Sequence, residues 1–151
     1  MSEQENIQIA KKQIAALNAR NVDEYLSRVD ESCREGMRKS LEVLFAALPD
    51  VQLEIEQILA SEDFVVVHSI ITGTHKGNFA GIAATNKPVN FHACNFVELR
   101  NGKAVRMRGY ADKATLFQQL GVLSAGSASC ENSEEHRGSP LARGPLPPRC
   151  Q

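Results

Sequence analysis

The sequence predicts an α+β fold: three N-terminal helices packed on a curved antiparallel sheet of about four strands, with a fourth helix closing it. Two observations carry this reading. Apolar residues recur at helical spacing as far as Pro49 and then switch to a period of two. The turn dipeptide Asn101-Gly102 then separates the last two alternating segments, as in a two-residue hairpin. A run of helices followed by a run of strands marks α+β rather than alternating α/β architecture.

The first helix opens with Ser2-x-x-Glu5, a capping box in which hydroxyl and carboxylate satisfy free N–H groups. Ile7, Ala10, Ile14 and Leu17 follow at helical spacing. Asn21 is placed to cap a second, short helix whose first turn holds Asp23 and Glu24, where the helix dipole favours acids. Met37, Leu41, Leu44, Phe45 and Leu48 form the apolar stripe of a third helix, which stops at Pro49.

Val51, Leu53 and Ile55 then alternate with Gln52, Glu54 and Glu56, the pattern of a half-buried strand. Ser61-Glu62-Asp63 turns into a second strand, Phe64–Thr74, rich in Val and Ile. Residues His75–Asn86 contain two glycines and read as a loop. A third strand, Pro88–Leu99, leads through Asn101-Gly102 into a fourth, about Lys103 to Tyr110. The last helix, Lys113–Leu120, ends at Gly121, a natural C-terminal cap. Beyond Val122 the composition shifts to Ser, Gly and Pro without aromatics, so the expected division is a domain over 1–123 and a disordered tail over 124–151.

The totals narrow the function. A chain of 151 residues suits one domain with a real core. A formal net charge of −1 argues against nucleic acid as a partner, because phosphate binding draws on a basic surplus. No apolar stretch approaches the ~20 residues of a membrane span, and the polar start Met1–Lys12 is no signal peptide. Cys33, Cys94, Cys130 and Cys150 form no C-x-x-C pair, so they read as reduced thiols in a cytoplasmic protein, with no metal site expected.

Three segments, in order and at matching distances, resemble the SnoaL-like polyketide cyclases and ester cyclases. Gly73-Thr74-His75-Lys76-Gly77-Asn78-Phe79-Ala80-Gly81-Ile82, followed by Thr85, Lys87 and Val89, is similar to the family's central signature. Asn101-Gly102-Lys103 matches its hairpin turn, and Asp112, Leu116 and Gln118-Gln119-Leu120-Gly121 its closing segment. The resemblance covers roughly residues 5–123 and implies a cone-shaped nuclear transport factor 2-like fold, dimeric through the sheet. It also implies ring closure or isomerisation of a small apolar carbonyl compound, without metal or cofactor, in a mostly apolar cavity.

The family's acid/base carboxylate carries over to Asp112. A carboxylate in a dry pocket has a raised pKa and can take a proton from carbon beside a carbonyl. Two departures from the family pattern stand out. Asp30-Glu31-Ser32-Cys33-Arg34 bridges the second and third helices directly, which would shorten one cavity wall. Arg106, Met107 and Arg108 replace the acidic, histidine and tryptophan residues common on the last strand.

Each candidate residue has a structural reading beside the functional one. Asp112 suits a helix N-cap as well as proton transfer, and alternation puts it on the side of Arg106, Arg108 and Tyr110, within reach of an Arg108 ion pair. His75 could join Asp112 in catalysis as a carbonyl-orienting group or proton carrier, or could anchor its loop. His92, with Asn90, Cys94 and Phe96 on one strand face, fits either a substrate pocket or a dimer face. Phe79, Phe96 and Tyr110 complete the expected substrate contacts. Two functions therefore stand side by side: a cofactor-free cyclase or isomerase, and a non-catalytic domain that binds a small apolar ligand or dimerises.

Overall fold

The computed structural model of the protein describes residues 1–123. Helices α1 (Glu3–Asn18), α2 (Val22–Ser27) and α3 (Glu31–Ala47) precede strands β1 (Gln52–Ser61), β2 (Phe64–Thr74), β3 (Pro88–Arg100) and β4 (Lys103–Ala111), and α4 (Lys113–Leu120) follows. The strands form one antiparallel sheet in the order β1-β2-β3-β4. The expected disordered tail lies outside the described residues.

The local signals explain the boundaries. The Ser2–Glu5 capping box is formed, with the Glu5 carboxylate accepting from the Ser2 backbone N–H at 2.7 Å. Asn21 accepts from the Glu24 backbone N–H and starts α2. Asn101 and Gly102 both have positive φ, 50° and 74°, as the tight hairpin between β3 and β4 requires. Gly121 ends α4 in the left-handed region, at φ 79°.

One boundary differs from expectation. Residues 30–34 are not a bridge but the start of α3. Asp30 accepts from the Ser32 backbone N–H as N-cap, and Glu31–Arg34 form the first turn. The apolar stripe begins only at Met37, so spacing gave no signal for the polar turn before it. Residues 28–30 alone join α2 to α3. They are pinned to β4, where Ala104 donates to the Arg28 carbonyl at 2.8 Å and accepts from the Asp30 N–H at 2.9 Å.

Alternation gives the sheet two unlike faces. Val65, Val67, Ser69, Val89, Phe91, Ala93 and Val97 point under the helices and are buried. Helix α1 covers them with Ala10, Gln13 and Leu17, and α3 with Leu41 and Ala47. The opposite, outer face carries Phe64, Phe96 and Tyr110, all substantially exposed. Its polar members include Glu98, Arg106 and Arg108 beside those aromatics, and His68 and His92, which extend the same alternation on β2 and β3.

Candidate functional site

The helices do not fill all the space over the inner face. A partly open cavity of about 200 Å³ remains between α1, α3 and the sheet. Most of its wall is aliphatic, with Ile14, Leu41 and Val67 as examples. Four polar side chains interrupt that wall: Gln13 from α1, Tyr25 from α2, Asn95 from β3 and Ser40 from α3, whose hydroxyl already donates to the Gly36 carbonyl. An apolar cavity with a few convergent polar groups is the general form of a small-molecule site. At this volume it suits a compact ligand, below the ~300–1,000 Å³ typical of drug-sized sites.

The chemistry of these groups follows from their partners. Gln13 is 3% exposed, and its Nε2 has no hydrogen-bond partner among the described residues. A buried amide N–H left unpaired carries a free-energy penalty that a ligand oxygen would relieve. Tyr25 is also buried, and among the described residues its hydroxyl finds only the Met107 sulfur as a hydrogen-bond partner, at 3.9 Å. Burial pushes the phenol up to about 12, so it stays a neutral O–H donor near pH 7. Asn95 stands opposite Gly109, where a Cβ would lie 2.7 Å from the Asn95 Oδ1. The glycine therefore gives the amide its room.

The residues singled out from the sequence fall in three other places. Asp112 is at the start of α4 and outside the cavity lining. Its carboxylate accepts from the Thr115 N–H at 3.0 Å and from the Thr115 hydroxyl at 2.6 Å. These bonds, and to a lesser degree nearby His92, hold Asp112 below the usual carboxylate range. The expected ion pair with Arg108 is not formed. Asp112 instead turns to Thr115, because the chain has left the strand and begun a helix whose free N–H groups draw the carboxylate.

His92 and Tyr110 join Asp112 along a shallow depression of the outer face. Phe96 meets Tyr110 edge to face there, with ring centroids 6.0 Å apart. His75 and Phe79 belong to the loop between β2 and β3. His75 is 1% exposed; its Nδ1 accepts from the Thr85 N–H at 3.2 Å and lies 3.0 Å from the Thr85 hydroxyl. Phe79 pairs its backbone with Ile82 and packs against the edge of the core. Of the expected residues, the structure thus gathers Asp112, His92, Phe96 and Tyr110 on the outer face. His75 and Phe79 stand apart from them, and none of the six lines the inner cavity.

The sequence model of the SnoaL-like polyketide cyclases matches residues 8–120. The chain belongs to the SnoaL-like polyketide cyclase family. Solved structures agree with this on fold. AclR, a candidate hydroxylase from Streptomyces galilaeus, is 26% identical with a TM-score of 0.76, over 84% of this chain and 87% of its own. TsrD from Streptomyces laurentii is 18% identical with a TM-score of 0.75, over 82% and 99%. A SnoaL-like polyketide cyclase from Agrobacterium tumefaciens is 23% identical with a TM-score of 0.68, over 74% and 94%. No curated protein matches the chain. The helical cover and open four-stranded sheet are thus the SnoaL-like, nuclear transport factor 2-like arrangement.

Within this SnoaL-like frame, sequence reasoning missed Gln13, Tyr25 and Asn95. A signal existed for Gln13, which stands three residues after Ala10 and four before Leu17, on the buried stripe of α1. Asn95 carried a signal of the opposite parity: it alternates with Phe96, so the face chosen for His92 excluded it.

Proposed function

We propose that the protein takes a compact apolar compound bearing a carbonyl into the inner cavity and promotes its ring closure or isomerisation without a cofactor. Membership of the SnoaL-like family supports the cyclase/isomerase-type role. The observation that carries the proposal is the pair of under-bonded donors, the Tyr25 hydroxyl and the Gln13 amide, in one apolar wall. Removing a proton beside a carbonyl places negative charge on its oxygen. Fixed donors in a water-poor cavity stabilise that charge more than they stabilise the neutral carbonyl. A phenol held neutral by burial is suited to this task. The aliphatic wall folds the substrate chain and brings its reacting carbons together. Asp112, the carboxylate carried over from the family, stands on the outer face and does not reach this cavity, so in this reading the proton passes to solvent at the cavity's open side.

One observation favours a second reading, binding without turnover: no carboxylate or imidazole is among the residues lining the cavity. A homodimer formed through the exposed outer face accompanies either reading. The deciding experiment is a thermal-shift screen of the full chain with small lactones, steroids and polyketide-like aromatics, followed by turnover assays on any stabilising compound. The proposal expects a ligand whose effect is lost in Gln13→Leu, and product formation that falls in Tyr25→Phe. Stabilisation without turnover would establish the second reading. Undiminished stabilisation of Gln13→Leu would remove the cavity from both.

A further inference from the structure

We propose that Glu56, His68 and His92 form a binding site for a divalent transition-metal ion on the outer face of the sheet. The site is separate from the inner cavity, and its residues come from three neighbouring strands. In the β2–β3 register His68 stands opposite Cys94, and His92 opposite Ile70. The two histidines are therefore diagonal neighbours on one face, and their rings stack with centroids 5.2 Å apart and planes 16° from parallel. Glu56 reaches them through an irregularity in β1. Ile55 pairs with Ser69 and Gln57 with His68, leaving Glu56 as the extra residue of a β-bulge. Bulges re-aim a side chain and concentrate near functional sites.

The donor set and its spacing point to an ion. Both imidazoles turn Nδ1 to the same carboxylate oxygen, Glu56 Oε2, at 3.3 Å from His68 and 3.1 Å from His92. Ligand atoms around a tetrahedral zinc, each ~2.0–2.1 Å from the metal, stand ~3.3 Å from one another. The two short edges already have that length, and all three donor atoms lie within 4.8 Å of one another. Two neutral imidazoles and one carboxylate suit zinc and its first-row neighbours rather than calcium or magnesium, which prefer all-oxygen sets. The three side chains are 36–53% exposed. In the single chain water can therefore reach the ion and fill its remaining positions, the arrangement of an open site. All three ligands belong to one chain, so the site is complete without a partner copy.

The test is a calorimetric titration of the full-length chain with Zn²⁺ at neutral pH, repeated on Glu56→Gln, His68→Gln, His92→Gln and the double histidine variant. A Co²⁺ absorption spectrum of the wild type accompanies it. The expected result is one ion per chain, affinity about tenfold or more weaker in each single variant, and no binding at this site in the double variant. The variants should melt with the wild type in the presence of chelator, since the altered side chains are on the surface. The cobalt spectrum should show d–d bands without a strong thiolate charge-transfer band. Absence of binding, one ion per two chains, or double-variant affinity within about twofold of wild type would each overturn the proposal. A strong thiolate band would also overturn it, by placing the ion on cysteine.

Discussion

The Tyr25 hydroxyl and the Met107 sulfur meet at 3.9 Å in the wall of the inner cavity, a weak hydrogen bond in a mostly aliphatic lining. Because Tyr25 is buried and its phenol is pushed up to about 12, the folded chain holds that proton at pH values where the unfolded chain has released it. Stability from this source is complete below pH 10 and is lost as pH rises from 10 to about 12. Tyr25→Phe should therefore fold as well as the wild type near neutrality, within about 1 kcal/mol. Above pH 10 the wild type should fall behind the variant, by roughly 2–3 kcal/mol when the folded phenol ionises. Urea unfolding of both proteins at pH 8 and pH 11 measures the difference, and parallel pH profiles would contradict it.

Asp112 caps α4 on the outer face, away from the inner cavity. As the cap of α4 it accepts twice from Thr115, and those bonds lower its pKa. The sign is that of an acid stabilised in its charged form: the contribution is present above the ordinary carboxylate range and is lost as pH falls from there through the lower value Asp112 has in the folded chain. Asp112→Ala should lower the melting temperature by a few degrees at pH 7 and by less at pH 3, while Asp112→Asn keeps most of the cap. Because Asp112 does not reach the cavity, Asp112→Asn should retain both the fold and turnover. Lost turnover in a folded Asp112→Asn protein would place the proton acceptor at Asp112 and move the reaction out of the inner cavity.

Phe64, Phe96 and Tyr110 are each about half exposed on the outer face, among Glu98, Arg106 and Arg108, a mixed aromatic and charged surface that a second copy would cover. The full chain should sediment as a dimer at micromolar concentration. Phe96→Glu, which places a charge beside Tyr110, should shift it to monomer without changing its melting midpoint in dilute solution. A wild-type monomer at high concentration would end the dimer proposal.

Much of this fold was legible because its signals are local. Phe64–Thr74 and Lys113–Leu120 begin and end where their turn residues and caps predict. The start of α3 was not legible: Glu31–Gly36 is polar, and its helical state depends on the Asp30 cap and the hydrogen bonds of residues 28–30 to Ala104. Sites were harder for a geometric reason. Gln13, Tyr25 and Asn95 meet only after three elements pack, and Glu56 reaches His68 only through a bulge that strict alternation does not foresee. His75 was visible as a residue of interest, but its burial and its contacts with Thr85 depend on how the loop folds back.

The loop that holds His75 is itself fixed against the end of α3, and two glycines measure how firmly. Gly77 donates its N–H to the Ala47 carbonyl at 3.2 Å. A Cβ there would collide with the Ala46 carbonyl oxygen, and backbone on both sides leaves little room to yield. Gly36 is in the middle of α3, and a Cβ added to it meets nothing within 4 Å. The same substitution should therefore have opposite signs at the two sites. Gly77→Ala should destabilise by roughly 1–3 kcal/mol through overpacking. Gly36→Ala should stabilise by about 0.5–1 kcal/mol, because alanine loses less backbone freedom in a helix. Chemical denaturation of the two variants beside the wild type tests both. Equal effects would mean that the loop yields at Gly77 and is not held against α3.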